Sequence, residues 1–99
     1  MLIEWSEEAA SHIRSRSCRH RDAVDIESEW TQEATDDPDA LWFEPDPKSA
    51  SGLGIRIIGY SVSAGFVVTV IGYHDHRRLR GATAYKSGGS DLRAYREGL

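Results

Sequence analysis

The chain has 99 residues, 39% of them apolar and 28% charged, with a mean hydropathy of −0.50 and a formal net charge of −4 at pH 7. That is enough apolar material for one small core, so residues 1–99 read as a single domain and a multidomain enzyme is excluded. The lone cysteine, Cys18, excludes a disulfide scaffold, and no apolar run approaches the roughly 18 residues of a membrane helix.

The N-terminus lacks the basic-then-apolar order of a signal peptide, and one cysteine suits a reducing compartment, so the expected location is cytoplasmic, with no membrane partner. Charge is unevenly spread. Residues 1–50 carry five Lys/Arg against thirteen Asp/Glu, and residues 51–99 seven against three. Such a division between halves suggests a charged partner or two solvated faces.

In chain order, residues 2–5 read as a short strand. Ser6 is placed to cap a helix to about Ser15, with Glu7 and Glu8 favoured in its first turn by the helix dipole. After the polar connection 17–21, Asp22 is a candidate cap for a second, acidic helix over 22–35. Its apolar stripe would be Ala23, Ile26, Trp30 and Ala34, and Asp36-Asp37-Pro38 would end it.

The period then changes. Asp39 to Phe43 reads as a strand, 48–52 as a polar loop, and Leu53–Ser61 and Phe66–Tyr73 as a hairpin about the four-residue turn 62–65. A polar turn over 74–78, a strand over 79–85, a flexible stretch over 86–90 and a short helix over 92–97 capped by Asp91 complete the chain. The expected fold is α+β: two N-terminal helices on an antiparallel sheet of about four strands, with a short C-terminal helix. Trp30, Trp42 and Tyr73 read as core.

Several strings resemble the BrnT toxins, small ribonucleases of bacterial toxin–antitoxin pairs with a fold related to RelE toxins. Ile3-Glu4-Trp5-Ser6 is similar to their Phe-x-Trp-Asp opening, and Asp36-Asp37-Pro38 to their Phe-x-Asp-Pro step into the sheet. Residues 55–61 followed by 67–71 are similar to their strand pair, and 80–86 followed by Tyr95-Arg96-Glu97 to their closing strand and helix. Tyr85 stands where the family's closing strand carries a second arginine. The resemblance implies a toxin that inhibits translation by cleaving RNA without a metal or other cofactor. It also implies an antitoxin encoded by an adjacent gene, and leaves a homo-oligomer open.

Metal-free RNA cleavage needs groups that move protons from the ribose 2′-OH and to the leaving 5′ oxygen, and cations that hold the phosphate. Such residue types gather late in this chain. The candidate catalytic residues are Arg80, Lys86, His74, His76, Tyr85 and Tyr95; the candidate RNA-binding residues are Arg56, Arg77, Arg78, Arg93 and Arg96. Strand alternation would put Arg80, Ala82, Ala84 and Lys86 on one side; where that side coincides with the one Arg56 and Tyr60 share, Arg56, Arg80 and Lys86 form a basic patch. His74 and His76 have the spacing of a metal pair, but no third ligand accompanies them, and no metal site is expected. A catalytic role for Cys18, a DNA-binding regulator and a non-catalytic module that binds protein through the acidic helix 22–35 are the weaker alternatives.

Overall fold

The structure, a computed structural model, describes residues 1–98. It is α+β. The order is β1 (Ile3–Glu4), α1 (Glu7–Arg14), a single 3-10 turn (Arg16–Cys18), α2 (Ser28–Asp36), β2 (Leu41–Phe43), β3 (Gly54–Ser61), β4 (Phe66–Asp75), β5 (Arg78–Lys86) and α3 (Gly89–Glu97). The sheet has five strands rather than four, in the order β1-β5-β4-β3-β2, and it is mixed. The opening strand joins it parallel to β5, with Ile3 opposite Leu79 and Glu4 opposite Arg80; the other pairings are antiparallel. No helix among the described residues is long and apolar enough to cross a membrane.

Ser6 caps α1 as its sequence suggests, its hydroxyl accepting from the Ala9 N–H at 3.0 Å. The β3–β4 hairpin closes through the expected four-residue turn, with Ser61 opposite Phe66 and Gly65 at φ +79. The second helix differs from expectation. It starts at Ser28 rather than Asp22, which has φ +62. The Asp25 carboxylate accepts from the Ser17 N–H (2.8 Å) and hydroxyl (3.1 Å), and the Ile26 N–H bonds the Ile13 carbonyl at 2.9 Å. Those bonds hold 22–27 out of the helix, and Ile26 reaches the core from this non-helical segment.

The helices α1 and α2 cover one face of the sheet. The core between them holds Ile13, Ile26, Ala34, Ile57, Val68, Val70, Leu79 and Ala84. Ile57 and Val68 are fully buried, whereas Trp30 is half-buried, set edge-on to Phe66 at 5.9 Å between ring centroids. Trp42 and Tyr73 are exposed rather than core. Gly59 lies where α2 presses closest: a Cβ there would collide with the Ala34 carbonyl.

The register between β4 and β5 slips once. Ile71 opposes Thr83 but Gly72 opposes Gly81, so Ala82 is an extra, bulged residue. A one-residue slip reverses the side-chain faces beyond it. Arg80 therefore points to the face opposite Lys86, and the single-sided row 80-82-84-86 does not form.

Candidate functional site

The face away from α1 and α2 carries Arg56, Ile58, Thr69, Tyr85 and Arg80, and α3 lies across part of it. Asp91, expected to cap α3, does not do so. Gly88 is the cap residue, and the Asp91 side chain turns inward from the first turn. Arg56 is buried beneath. Its Nε donates to Asp46 Oδ1 at 2.9 Å and its Nη1 to Asp91 Oδ2 and the Tyr85 hydroxyl, each at 2.8 Å. Thr69 donates to the same Asp91 oxygen at 3.0 Å and shares a hydrogen bond with Ser87 at 2.6 Å.

Burial alone would weaken the Arg56 charge. The hydrogen bonds it donates to Asp46 and Tyr85, and the charge of Asp91, outweigh it and hold its pKa above the ordinary arginine value. The Asp46 carboxyl is correspondingly held below its usual range: burial would raise it, but Arg56 and the Lys48 N–H prevail. Arg56 is thus 6% exposed and fully engaged, a cross-link between sheet, loop and α3 rather than a surface phosphate ligand.

A second polar tie fixes the other end of α3. The Tyr95 hydroxyl donates to Asp37 Oδ2 at 2.6 Å, and the Tyr60 N–H donates to the same atom at 2.7 Å. Burial and this bond push the Tyr95 pKa up to about 12. Its proton is therefore already committed to Asp37.

The remaining expected residues separate into two groups at opposite ends of the sheet. Arg78 opposes Asp75 at one end of the hairpin, and Lys86 opposes Val68 near the other, eight residues or roughly 26 Å along the strand. At the turn end, His76 has φ +58 and leads a two-residue turn with Arg77. Most cations here have a carboxylate: Arg80 meets Asp75 at 3.2 Å, Arg78 meets Glu4 at 3.7 Å, His74 meets Glu44 at 3.3 Å and His76 lies 3.9 Å from Asp75. His74 belongs to β4 rather than to the turn. Among the described residues no group of three or more His, Cys, Asp and Glu is placed to hold a metal.

At the other end, where β5 passes into α3, Lys86, Arg93, Arg96 and the unforeseen Arg16 have no carboxylate at ion-pair distance among the described residues. Arg16 and Lys86 rest on aromatic rings instead. The Arg16 guanidinium lies over Tyr85 at 5.5 Å from the ring centroid, and the Lys86 ammonium over Phe66 at 5.1 Å. Two hollows meet here. One of about 260 Å³ is lined by Arg16, Asp22, Ala23, Val24, Tyr85, Lys86 and Ser87. The other, of about 430 Å³, includes Tyr60, Phe66, Lys86, Ser87, Leu92, Tyr95 and Arg96. Asp22 is the one acidic residue bordering either. Together they form a basic groove with aromatic walls, suited to a phosphate-bearing chain.

Lys86, Tyr85, Tyr95 and Arg96 of the expected set border this groove, and Arg93 lies on the adjoining surface of α3 with Arg96. Arg80, His74, His76, Arg77 and Arg78 do not. Arg16, Tyr60 and Phe66 were missed. The signal for Arg16 was only its place among the cations near Cys18, which is itself exposed. No protein-family model matches the sequence, and no curated protein is significantly similar to it.

Proposed function

We propose that the chain is the toxin member of a toxin–antitoxin pair and cleaves RNA without a metal, at the groove between β5 and α3. The observation that supports this reading is the gathering of Arg16, Lys86 and Arg96 there, with Arg93 on the adjoining surface of α3, without carboxylate partners among the described residues and beside the aromatic Tyr60, Phe66 and Tyr85. Such cations are free to bind phosphate, and guanidinium groups do so through paired hydrogen bonds.

In the chemistry this implies, the ribose 2′ oxygen bonds to phosphorus, its proton leaves to water, and the bond to the 5′ oxygen breaks. Lys86 and Arg16 stabilise charge growing on the phosphoryl oxygens. The Tyr85 hydroxyl oxygen accepts from Arg56 Nη1 at 2.8 Å and donates to Asp91 Oδ2 at a long 3.5 Å; turning from that weak contact, it gives its proton to the departing 5′ oxygen. The partner is an antitoxin protein encoded next door, and the compartment is the cytoplasm. The alternative of a binding module built on 22–35 has less support: only 28–36 is helical, and Asp25 and Glu33 are engaged with Ser17, Ser61 and Ser63.

The test is induced expression with and without the neighbouring gene, read by growth and RNA integrity, for the parent, Lys86→Met and Arg80→Ala. Arrest and RNA breakage by the parent and Arg80→Ala, abolished in Lys86→Met, are expected. A harmless parent with intact RNA refutes the reading, as does full toxicity of Lys86→Met.

A further inference from the structure

We infer that the groove takes an unpaired dinucleotide step, one base on each side of Lys86 and the linking phosphate at Lys86 itself; the inference rests on the RNA reading above. Lys86 and Ser87 border both hollows and so form a wall between them. On one side lie Arg16, Val24 and Tyr85, and on the other Tyr60, Leu92 and Tyr95.

The volumes, about 260 and 430 Å³, fall below and near the lower end of the roughly 300–1,000 Å³ of clefts that enclose a whole small ligand. Each suits one ring system rather than a stacked pair. The linings divide in the same way. Apolar and aromatic groups flank each side, as base faces require, and Lys86, whose ammonium lies over Phe66 of the second hollow, is the cation the two share, as the phosphate between two bases requires. The flat Arg16 guanidinium over Tyr85 adds a cationic platform on the first side.

A duplex cannot meet this arrangement. Its neighbouring bases stack on one another with their edges paired, so they cannot enter two hollows separated by a wall. Bases read singly are splayed from an unpaired strand.

The experiment is calorimetric titration with 2′-O-methyl mono-, di- and trinucleotides, whose blocked 2′ oxygen prevents cleavage, and competition by a hairpin duplex. The expected result is a gain of roughly tenfold or more in affinity from mono- to dinucleotide, little further gain with the trinucleotide, and no competition from the duplex. Lys86→Met keeps the aliphatic stem and should lose most of the dinucleotide gain. Tyr60→Ala should weaken the dinucleotide by about tenfold, with both variants melting like the parent. Equal affinity for mono- and dinucleotide, effective competition by the duplex, or unchanged dinucleotide binding by Lys86→Met would each overturn the inference. The expected binding pattern together with uncleaved natural RNA supports the two base seats and refutes only the cleavage reading. Cleavage without the dinucleotide step refutes the base seats and leaves the cleavage reading standing.

Discussion

Replacing Arg56 with Met tests whether this arginine is a buried cross-link or a surface phosphate ligand. Its side chain is 8% exposed, and its partners Asp46 and Asp91 are 4% and 12% exposed. Met has comparable length but no charge, so two carboxylates would be left facing each other without a cation. Removing one member of a buried ion pair costs about 3–5 kcal/mol, a large share of the roughly 5–15 kcal/mol that holds a domain together. For a domain of this size that is a fall in melting temperature on the order of 12–40 °C. The loss should depend on pH. The lowered Asp46 pKa stabilises the parent fully above the unfolded carboxylate range, near pH 3.9, and that stabilisation disappears as pH falls through the lowered value. In Arg56→Met the orphaned carboxyls gain protons more readily in the folded state, so acid narrows the gap between the two proteins. Urea unfolding at pH 7 and pH 4, followed by tryptophan fluorescence, measures this. A variant within about 1 kcal/mol of the parent at pH 7, or a gap that widens in acid, refutes the cross-link.

Gly59→Ala should destabilise by about 1–3 kcal/mol or more, because the new methyl meets the Ala34 backbone, which moves only if α2 moves; Gly88→Ala, at a site with open space around it, is the control for chemical denaturation. Deleting Ala82 removes the bulge but leaves 78–81 on their present faces, because Gly81 then adjoins Thr83 in regular alternation opposite Gly72, so Leu79 stays in the core and circular dichroism should show cooperative unfolding retained; loss of cooperativity refutes the register. Stability should also fall as pH rises from about 10 to about 12. There the unfolded chain releases a Tyr95 proton that the folded chain keeps, a slope of at most about 1.4 kcal/mol per pH unit, reduced by solvent screening. Tyr95→Phe should flatten that part of a pH series of melting curves.

The features that local chemistry determines were legible in the sequence. Ser6 caps α1 because a hydroxyl three residues before an N–H is all the cap needs. The β3–β4 hairpin follows from two apolar runs and a four-residue turn ending in Gly65. Features decided by distant contacts were not. The stripe 23-26-30-34 has helical spacing, yet Ile26 meets Ile13 from a non-helical segment, and Asp25 finds its donors at Ser17. Both partners lie before the segment and outside any periodic pattern. The parallel pairing of β1 with β5 joins opposite ends of the chain through two residue pairs, too few for a signal.

The candidate site turned on one residue that alternation does not reveal. An unbroken strand would set Arg80 on the face of Lys86, which pairs with Val68, and away from Arg56, which pairs with Ile71 on the other face. The Ala82 bulge turns Arg80 toward Asp75 and Lys86 toward Phe66. The adjacent Gly81 was the available cue, since glycine within a strand often marks a bulge or a close approach; here the Trp5 ring occupies the space of its missing Cβ. The charge asymmetry resolves differently as well. The acidic first half does not form a surface apart from the basic second half, because Glu4 reaches Arg78, Glu44 reaches His74 and Asp46 reaches Arg56. Those pairs, with Asp75 on Arg80, engage most cations of the turn end and the buried arginine. Among the described residues, the cations left without carboxylates where β5 meets α3 are Lys86, Arg93 and Arg96 from the basic half, and Arg16, which the 3-10 turn brings to Tyr85 from the acidic one. A locally basic groove can therefore exist on a chain whose net charge is −4, because the strand register and the cross-half pairs determine which charges remain to meet a ligand.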